Sequence, residues 1–169
     1  TRPTVRSGRA ADGQQLALLR WMSRSEDERN LESFDAFQAR FLTWVHDSLE
    51  SRQWHIVVAE SGATLVGCMY LRRVDTVPVP GVASRAWGYV THAFVIEEFR
   101  NHGIGRELLC RLIEHARSVG LVELHVWPSR GAISLYARLG FLSPELQRSG
   151  ESADEPSYVL PLRGPDGET

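Results

Sequence analysis

Apolar residues recur at intervals of three and four in two segments of the N-terminal third of the chain. In residues 11–25 (ADGQQLALLRWMSRS), leucine and methionine follow this helical spacing. From about Leu31 to Ser51 aromatic and aliphatic side chains do the same, at Phe34, Phe37, Phe41, Leu42, Val45 and Leu49. Because this spacing places side chains on one face of an α-helix, the pattern predicts two amphipathic helices.

Short apolar runs bounded by turn residues predict the strands. Residues 4–10 indicate a first short strand. In WHIVVAESGATLVGCMYLRRV, two apolar runs flank ESGA, which is typical of a β-hairpin. After a loop rich in Pro and Gly (TVPVPGVAS), further strands are predicted at RAWGYVTHAFVI, LVELHVW and PSYVLPLR. The unbroken apolar runs around 56–59 and 121–127 predict a sheet that is covered on both faces.

Two more helices are predicted in the C-terminal half. One runs from about Gly103 to Val119 and ends at Gly120, since glycine commonly follows the last turn of a helix. The other is GAISLYARLG, which ends at Gly140. The resulting order is β, α, α, three antiparallel strands, α, β, α, β. This order predicts a mixed sheet with helices on its faces.

Composition narrows the classes of function. The length of 169 residues suits one domain, placed at residues 1–163, with a flexible tail at 164–169 (GPDGET). A net charge of −2 gives no reason to expect a nucleic-acid partner. No apolar run reaches the roughly 18 residues of a membrane span, so no membrane partner is expected. The polar N-terminus lacks a signal-peptide core, which favours the cytosol.

Cysteine and histidine positions do not form a metal-binding pattern. Cys68 and Cys110 fall inside apolar segments, where each is interpreted as a small core residue and not as half of a disulfide. The six histidines form no HxxxH pattern, and no CxxC occurs. The sequence therefore predicts no metal cofactor.

Glycines stand at an unusual place in RNHGIGREL, where the last predicted long helix begins. A P-loop would require GxxxxGK[ST], and the chain contains no lysine. A dinucleotide fingerprint would require GxGxxG, but Leu108 occupies the third glycine position. The remaining option is a helix N-terminus whose free amides bind a pyrophosphate, with Arg100 and Arg106 on either side. Gly103 and Gly105 would let phosphates approach the backbone.

The segment VIEEFRNHGIGRELL resembles motif A, [Q/R]-x-x-G-x-[G/A], of the GCN5-related N-acetyltransferase (GNAT) superfamily. LVELHVWPS and AISLYARLGF are similar to the family's fifth strand and following helix, and the resemblance covers about Trp87 to Phe141. It implies an α+β fold in α-β-α layers, with a mixed, mostly antiparallel sheet of about six to seven strands and helices on both faces. The co-substrate it implies is acetyl-CoA or a related acyl-CoA.

The resemblance also implies how the co-substrate is held. Its pyrophosphate would lie on the amides of the turn, and its pantetheine arm along the edge of the strand before it. The residues concerned are Arg100, Asn101, His102, Gly103, Ile104, Gly105 and Arg106 in the turn, and Ala93, Phe94 and Val95 in the strand. Many relatives also contact the co-substrate through an Asn about seven residues before a tyrosine. Here that segment is one residue shorter, and Ser129 and Arg130 replace the Asn.

Acetyl transfer to an amine requires a base for the ammonium and an acid for the leaving thiolate. The resemblance implies that Tyr136, in SLYARLGF, is the acid. A core aromatic is the alternative reading of this residue. Many relatives have a Glu in the fourth or fifth strand as base, whereas this sequence has His92 and His125 at matching places. Histidine titrates near neutral pH, so His92 is the first candidate and His125 the second, each with a purely structural alternative.

The acceptor is expected to be a small-molecule amine. An acidic stretch between the first two long helices could attract a cation, although such runs are usually solvated faces. Trp21, Trp44, Trp54 and Trp87 raise the possibility of an aromatic-lined pocket, with core packing favoured for Trp44. A protein or peptide amine, or a non-catalytic acyl-CoA sensor or interaction module, is the alternative. Whether the protein is a monomer or a homodimer stays open.

Overall fold

A computed structural model describes residues 2–82, 85–147 and 157–162. Six strands occur among these residues: β1 Thr4–Ser7, β2 Trp54–Ser61, β3 Thr64–Asp75, β4 Ala86–Val95, β5 Glu123–Val126 and β6 Tyr158–Pro161. The same residues contain five α-helices: α1 Gly13–Met22, α2 Glu26–Arg29, α3 Phe34–Glu50, α4 Ile104–Ser118 and α5 Ile133–Arg138. Within these residues, no helix combines the length and the apolar character that crossing a bilayer requires. The predicted tail, 164–169, lies outside the described residues.

The strands form one sheet in the order β1-β2-β3-β4-β5-β6. β1 runs antiparallel to β2, β5 runs parallel to β4, and β6 runs antiparallel to β5. The parallel pair follows from the crossover through α4, which returns the chain in the direction of β4. The predicted fold class, a mixed sheet combined with helices, is confirmed.

A short helix, α2, is missing from the sequence-based prediction. Ser25 caps it by a reciprocal pair: the Glu28 amide donates to Ser25 Oγ (3.3 Å), and the Ser25 amide donates to Glu28 Oε2 (3.0 Å). Its residues, EDER, are all charged, so it has no apolar face that periodicity could reveal. Leu31, the predicted start of the next helix, is 84% exposed and lies outside it, because α3 begins at Phe34 behind the Ser33 cap.

Contacts divide the chain into two compact units, Thr1–Tyr70 with His92–Leu112 and Leu71–Thr91 with Ile113–Thr169. The first unit has a continuous apolar core made of α1, α3, β2 and β3. Its buried members are Leu16, Ala17, Leu19, Phe41, Val45, Ile56, Val58, Leu65, Cys68 and Tyr70. All four residues from Ile56 to Ala59 have no exposure, which confirms that this strand is covered on both faces. The single-domain boundary at 163 stays a prediction.

In the second unit β5 alternates between half-buried and buried residues. Leu124 and Val126 are buried, whereas Glu123 and His125 are only half-buried, so the prediction that 121–127 is covered on both faces is wrong. Gly88 lies on the buried side of β4. A Cβ there would come within 2.5 Å of Leu124 and 2.6 Å of Leu71, so these leucines occupy the space that a side chain would need.

Candidate functional site

β4 continues beyond the segment that pairs with β5. The parallel register joins Gly88 to Leu124 and ends at Val90 opposite Val126, whereas β4 itself runs on to Val95. The end of β4 is anchored through the next residue, because the Ile96 amide donates to the Val66 carbonyl at 3.0 Å. The residues expected to hold a pantetheine arm, Ala93 to Val95, therefore lie in the part of the strand that extends past the β5 register.

The turn that follows β4 is built from two left-handed residues. After a single 3-10 turn at Glu97–Phe99, Asn101 has φ of 62° and Gly103 has φ of 80°. α4 then begins at Ile104, and the Glu107 amide donates to the Gly103 carbonyl at 3.1 Å. By the geometry of an α-helix, the amides just before this bond, those of Ile104, Gly105 and Arg106, receive no acceptor from their own helix. They are available to an anion.

Gly103 and Gly105 serve different purposes. A Cβ on Gly103 would meet no described atom within 4 Å, so space does not require a glycine there. The positive φ does, because other residue types adopt it only with strain. Gly105 lies inside α4 with no positive φ. A glycine within a helix costs about 0.5–1 kcal/mol relative to alanine, so its conformation alone does not explain it. Access to the first amides, the reason that the sequence suggested for this glycine, stays a prediction.

The side chains of the turn point in different directions. Arg100 folds back on β4, where its Nε donates to the Val95 carbonyl (2.9 Å) and its guanidinium lies over the Phe94 ring (5.9 Å to the centroid). Arg106 and Asn101 are exposed. His102, also exposed, lines a cavity of about 450 Å³ together with Arg2, Pro3, Glu98 and Phe99. Arg100 thus stabilises the strand end, a role that the sequence did not indicate.

His92 departs from regular strand geometry at the start of this segment. Its φ is +50°, which is uncommon for a residue with a side chain. Arg20 Nη1 of α1 donates to His92 Nδ1 at 3.2 Å. Since arginine can only donate, Nδ1 is the acceptor and the neutral ring carries its proton on Nε2. Burial, and then the nearby charges of Arg20 and Arg24, lower the pKa of His92 to about 3.

The ring of His92 lies in a row of aromatic side chains. Its centroid is 5.1 Å from that of Tyr70 and 6.4 Å from that of Phe94. Tyr70 in turn contacts Trp44 (6.1 Å) and Trp54 (6.5 Å). Trp44 is 37% exposed, so it lies at the rim of this row and is not a core residue as the sequence suggested.

His125, the second candidate base, lies in the second unit between two oxygen partners. Its Nε2 is 2.9 Å from Glu123 Oε1, and its Nδ1 is 2.8 Å from Ser157 Oγ. The contact with His125 holds the pKa of Glu123 below its usual range, so that carboxylate is ionised and accepts from Nε2–H. In the neutral tautomer of His125, Nδ1 then carries the lone pair that accepts from the Ser157 hydroxyl. The indole of Trp87 packs on the imidazole at 4.7 Å.

Tyr136, the expected acid, also lies in the second unit. It is 2% exposed, and its ring meets Phe141 edge-on at 5.3 Å. Burial raises its pKa to about 12, so the phenol stays protonated at neutral pH. Ser129 precedes a single 3-10 turn at Arg130–Ala132, where the Ala132 amide donates to its carbonyl, and Arg130 is exposed.

Among the described residues, one group of possible metal ligands was not anticipated. His46, Asp47 and Glu50 on α3 offer three ligand atoms within 4.8 Å of one another, and all three residues are exposed. Glu50 stands at i+3 from Asp47 and at i+4 from His46, spacings at which a helix brings side chains together without any ion.

Comparison with known proteins identifies the group to which this arrangement belongs. The chain is 34% identical over 102 residues to the N-alpha-acetyltransferase RimI of Mycobacterium tuberculosis. The aligned segment covers 59% of this chain and 60% of RimI. A "predicted acetyltransferase" of Clostridium acetobutylicum with acetyl-CoA superposes with a TM-score of 0.69 at 17% identity, over 89% of this chain and 94% of that one. The structure of YhbS of Escherichia coli in complex with CoA superposes with a TM-score of 0.67 at 19% identity, over 96% of this chain and 82% of that one. The acetyltransferase (GNAT) family model matches residues 16–141, more than half of the sequence, and the chain therefore belongs to that family.

Proposed function

We propose that this chain is an acyl-CoA-dependent N-acetyltransferase that transfers an acetyl group from acetyl-CoA to the primary amine of a small molecule. The observation that carries the proposal is the turn Asn101–Gly103, after which the first three amides of α4 have no acceptor in their own helix, a short distance along the chain from the end of β4. Structures of the same fold have been determined with acetyl-CoA and CoA, which supports a CoA thioester as the ligand.

Each part of the donor has a matching group in the chain. The amides of Ile104–Arg106 provide the N-terminal end of a helix dipole for two phosphates. The backbone of Ala93–Val95 offers hydrogen-bonding groups of a strand edge to the amides of a pantetheine arm. The donor supplies an activated thioester. In the reaction a carbon–nitrogen bond forms while the carbon–sulfur bond breaks, the amine loses one proton, and the thiolate gains one.

The proton for the thiolate is assigned to Tyr136, and the structure bears on the choice of base. A histidine whose pKa is about 3, and whose Nδ1 already accepts from Arg20, is poorly suited to take a proton from an ammonium. His125 donates from Nε2 to Glu123, and its Nδ1 accepts from the Ser157 hydroxyl, which, unlike an arginine N–H, can pass its proton to the imidazole and accept another. We therefore assign the base to His125, acting through Ser157 or water, and assign His92 a hydrogen-bonding role.

Binding of CoA is the first test. At a CoA concentration one hundred times its Kd, the folded state gains about 2.7 kcal/mol, which for a domain of this size raises Tm by about 5–10 °C. Gly105→Ala is expected to leave the ligand-free Tm unchanged or slightly higher and to weaken CoA binding at least about tenfold, since a methyl group then lies over the amides. If CoA stabilises neither protein, the donor site is wrong. If CoA raises the Tm of the wild type and of Gly105→Ala equally, Gly105 is not needed for CoA to reach the amides.

Turnover is the second test. Incubation with acetyl-CoA and a panel of primary amines is expected to release CoA thiol and to yield N-acetylated products, both measurable by absorbance and mass spectrometry. A peptide with a free N-terminus belongs in the panel, because the RimI relative is an N-alpha-acetyltransferase. Preference for the peptide would replace the small-molecule acceptor. CoA binding without acetylation of any amine would instead identify a non-catalytic acyl-CoA sensor.

A further inference from the structure

We propose that Arg20, oriented by His92, binds a carboxylate of the acceptor, so that the substrate is a small amine of amino-acid type. The proposal rests on the acetyltransferase function given above and specifies its acceptor.

Arg20 differs from neighbouring arginines because no acidic residue in the described ranges pairs with it. Arg6 pairs with Asp12 and Glu60, and the surface residues Arg24, Arg40 and Arg73 pair with Glu28, Glu32 and Asp75. Among the described residues, no ion pair includes Arg20, although its side chain is half-buried. Burial lowers the pKa of Arg20, which reflects the cost of holding a charge there without a counter-ion. An anion would remove that cost.

His92 sets the direction of the guanidinium. Its Nδ1 accepts from Arg20 Nη1 at 3.2 Å and leaves the other N–H groups of the fork for a ligand. A protonated imidazole would repel Arg20, so the low pKa of His92 keeps this contact intact across the neutral range. His92 is therefore a positioning residue in this arrangement.

The polar groups around Arg20 offer more hydrogen-bond donors than acceptors. Within the described part of the chain, the hydroxyl of Tyr70, which is 3% exposed, has no hydrogen-bond partner, and the buried Nε2–H of His92 has none either. Their rings are 5.1 Å apart. Buried polar groups in native proteins are nearly always paired, so a cluster of unpaired donors beside a cation calls for an acceptor group. A carboxylate is the acceptor that also carries the opposite charge.

The setting of this cluster indicates the size and character of the ligand. His92 immediately precedes Ala93–Val95, the strand edge assigned to the donor, so the acceptor amine and its carboxylate are expected to be separated by few bonds. Trp44 and Trp54 border Tyr70 and provide an apolar surface for the rest of the molecule. The acidic stretch that could have attracted a cation is partly neutralised, because Glu28 and Glu32 pair with arginines.

The test compares phenylalanine with phenylalaninamide and phenethylamine, and repeats the comparison for a small and a branched amino acid. With wild-type protein, kcat/KM for the carboxylate-bearing member is expected to exceed that of its partners at least about tenfold, as one charge-assisted bidentate contact allows. Arg20→Gln should abolish this preference, mainly through KM. Arg24→Gln, which removes a nearby surface arginine paired with Glu28, should retain it.

Two further measurements separate this proposal from the activity itself. Wild-type protein, but not Arg20→Gln, should bind 3-phenylpropionate more tightly than 3-phenylpropanamide in titration calorimetry, whether or not any amine turns over. His92→Gln, whose amide oxygen can accept from Arg20, should keep the preference that His92→Leu loses. Equal affinity of the wild type for the acid and the amide would overturn the carboxylate site. So would an Arg20→Gln variant that loses activity equally toward acceptors with and without a carboxylate. If the protein binds the acid selectively but acetylates no amine, the carboxylate site is supported and the proposed acetyltransferase activity is refuted.

Discussion

Tyr136→Phe is expected to lower kcat by about two to four orders of magnitude while KM for acetyl-CoA stays nearly constant. General acid catalysis contributes about 10²–10⁴-fold to rate, and the substitution removes only the hydroxyl that would donate the proton. The phenol is well suited to this task, because burial raises its pKa to about 12 and keeps it protonated over the working range. Steady-state kinetics with thiol release as the readout measures the effect.

Phe141 provides the matched control for Tyr136. The two rings pack edge-on at 5.3 Å, so Phe141→Leu disturbs the same contact without removing a hydroxyl. This variant is expected to lower Tm yet keep kcat within about threefold of the wild type, whereas Tyr136→Phe should do the reverse. If both variants lose activity in proportion to stability, Tyr136 is a core residue and not the acid.

Asp12→Ala is expected to lower the free energy of unfolding by about 3 kcal/mol, equivalent to a fall in Tm of about 6–12 °C. Asp12 is 6% exposed and accepts from both terminal nitrogens of Arg6 at 2.8 Å and from the Arg9 amide at 2.7 Å. Among the described residues, its removal leaves the Arg6 guanidinium with Glu60 and the Ser7 carbonyl. The contact joins β1 to the start of α1, the helix that carries Arg20. Urea denaturation at neutral pH measures the change.

The same carboxylate predicts how stability depends on pH. The hydrogen bonds from Arg6 lower the pKa of Asp12 below the ordinary value of 3.8 for an aspartate. A carboxyl whose pKa is depressed by folding stabilises the folded state above its unfolded pKa, and this contribution is lost as pH falls through the lower, folded pKa. Below about pH 4 the stability of the wild type should therefore fall more steeply than that of Asp12→Asn.

Glu60→Gln is the comparison that tests the Asp12 assignment. Glu60 accepts from the same guanidinium at 3.1 Å, but its side chain is 27% exposed and water can replace the contact. Its substitution should cost much less stability than that of Asp12. Equal losses for the two variants would mean that burial of Asp12 is not what makes its ion pair important.

The turn at the start of α4 was predictable because its requirements are local. Left-handed backbone at Gly103, a helix beginning one residue later and the glycine at 105 are all encoded within a few neighbouring residues. Helix and strand order followed from hydrophobic periodicity for the same reason. Periodicity missed α2, whose four charged residues are held by the Ser25 cap and not by an apolar face.

The environments of the two histidines were not predictable from their positions in the sequence. His92 meets Arg20 across 72 residues, and His125 meets Ser157 across 32. Sequence placed both histidines near the donor on the assumption of an ordinary histidine pKa. Their surroundings separate them, because one is buried beside a guanidinium and the other is held by a carboxylate and a hydroxyl.

For this protein, therefore, the sequence alone determined the order of elements, the family resemblance and the glycine turn, since each depends on backbone preferences within a short stretch. Only the tertiary structure decided that His92 is held neutral, that Arg100 bonds back to Val95 and that no carboxylate of the described residues pairs with Arg20. These are properties of burial and of long-range contact. Burial makes a charge energetically costly, and a lone pair gains a hydrogen-bond donor from a distant residue, only when distant segments pack together.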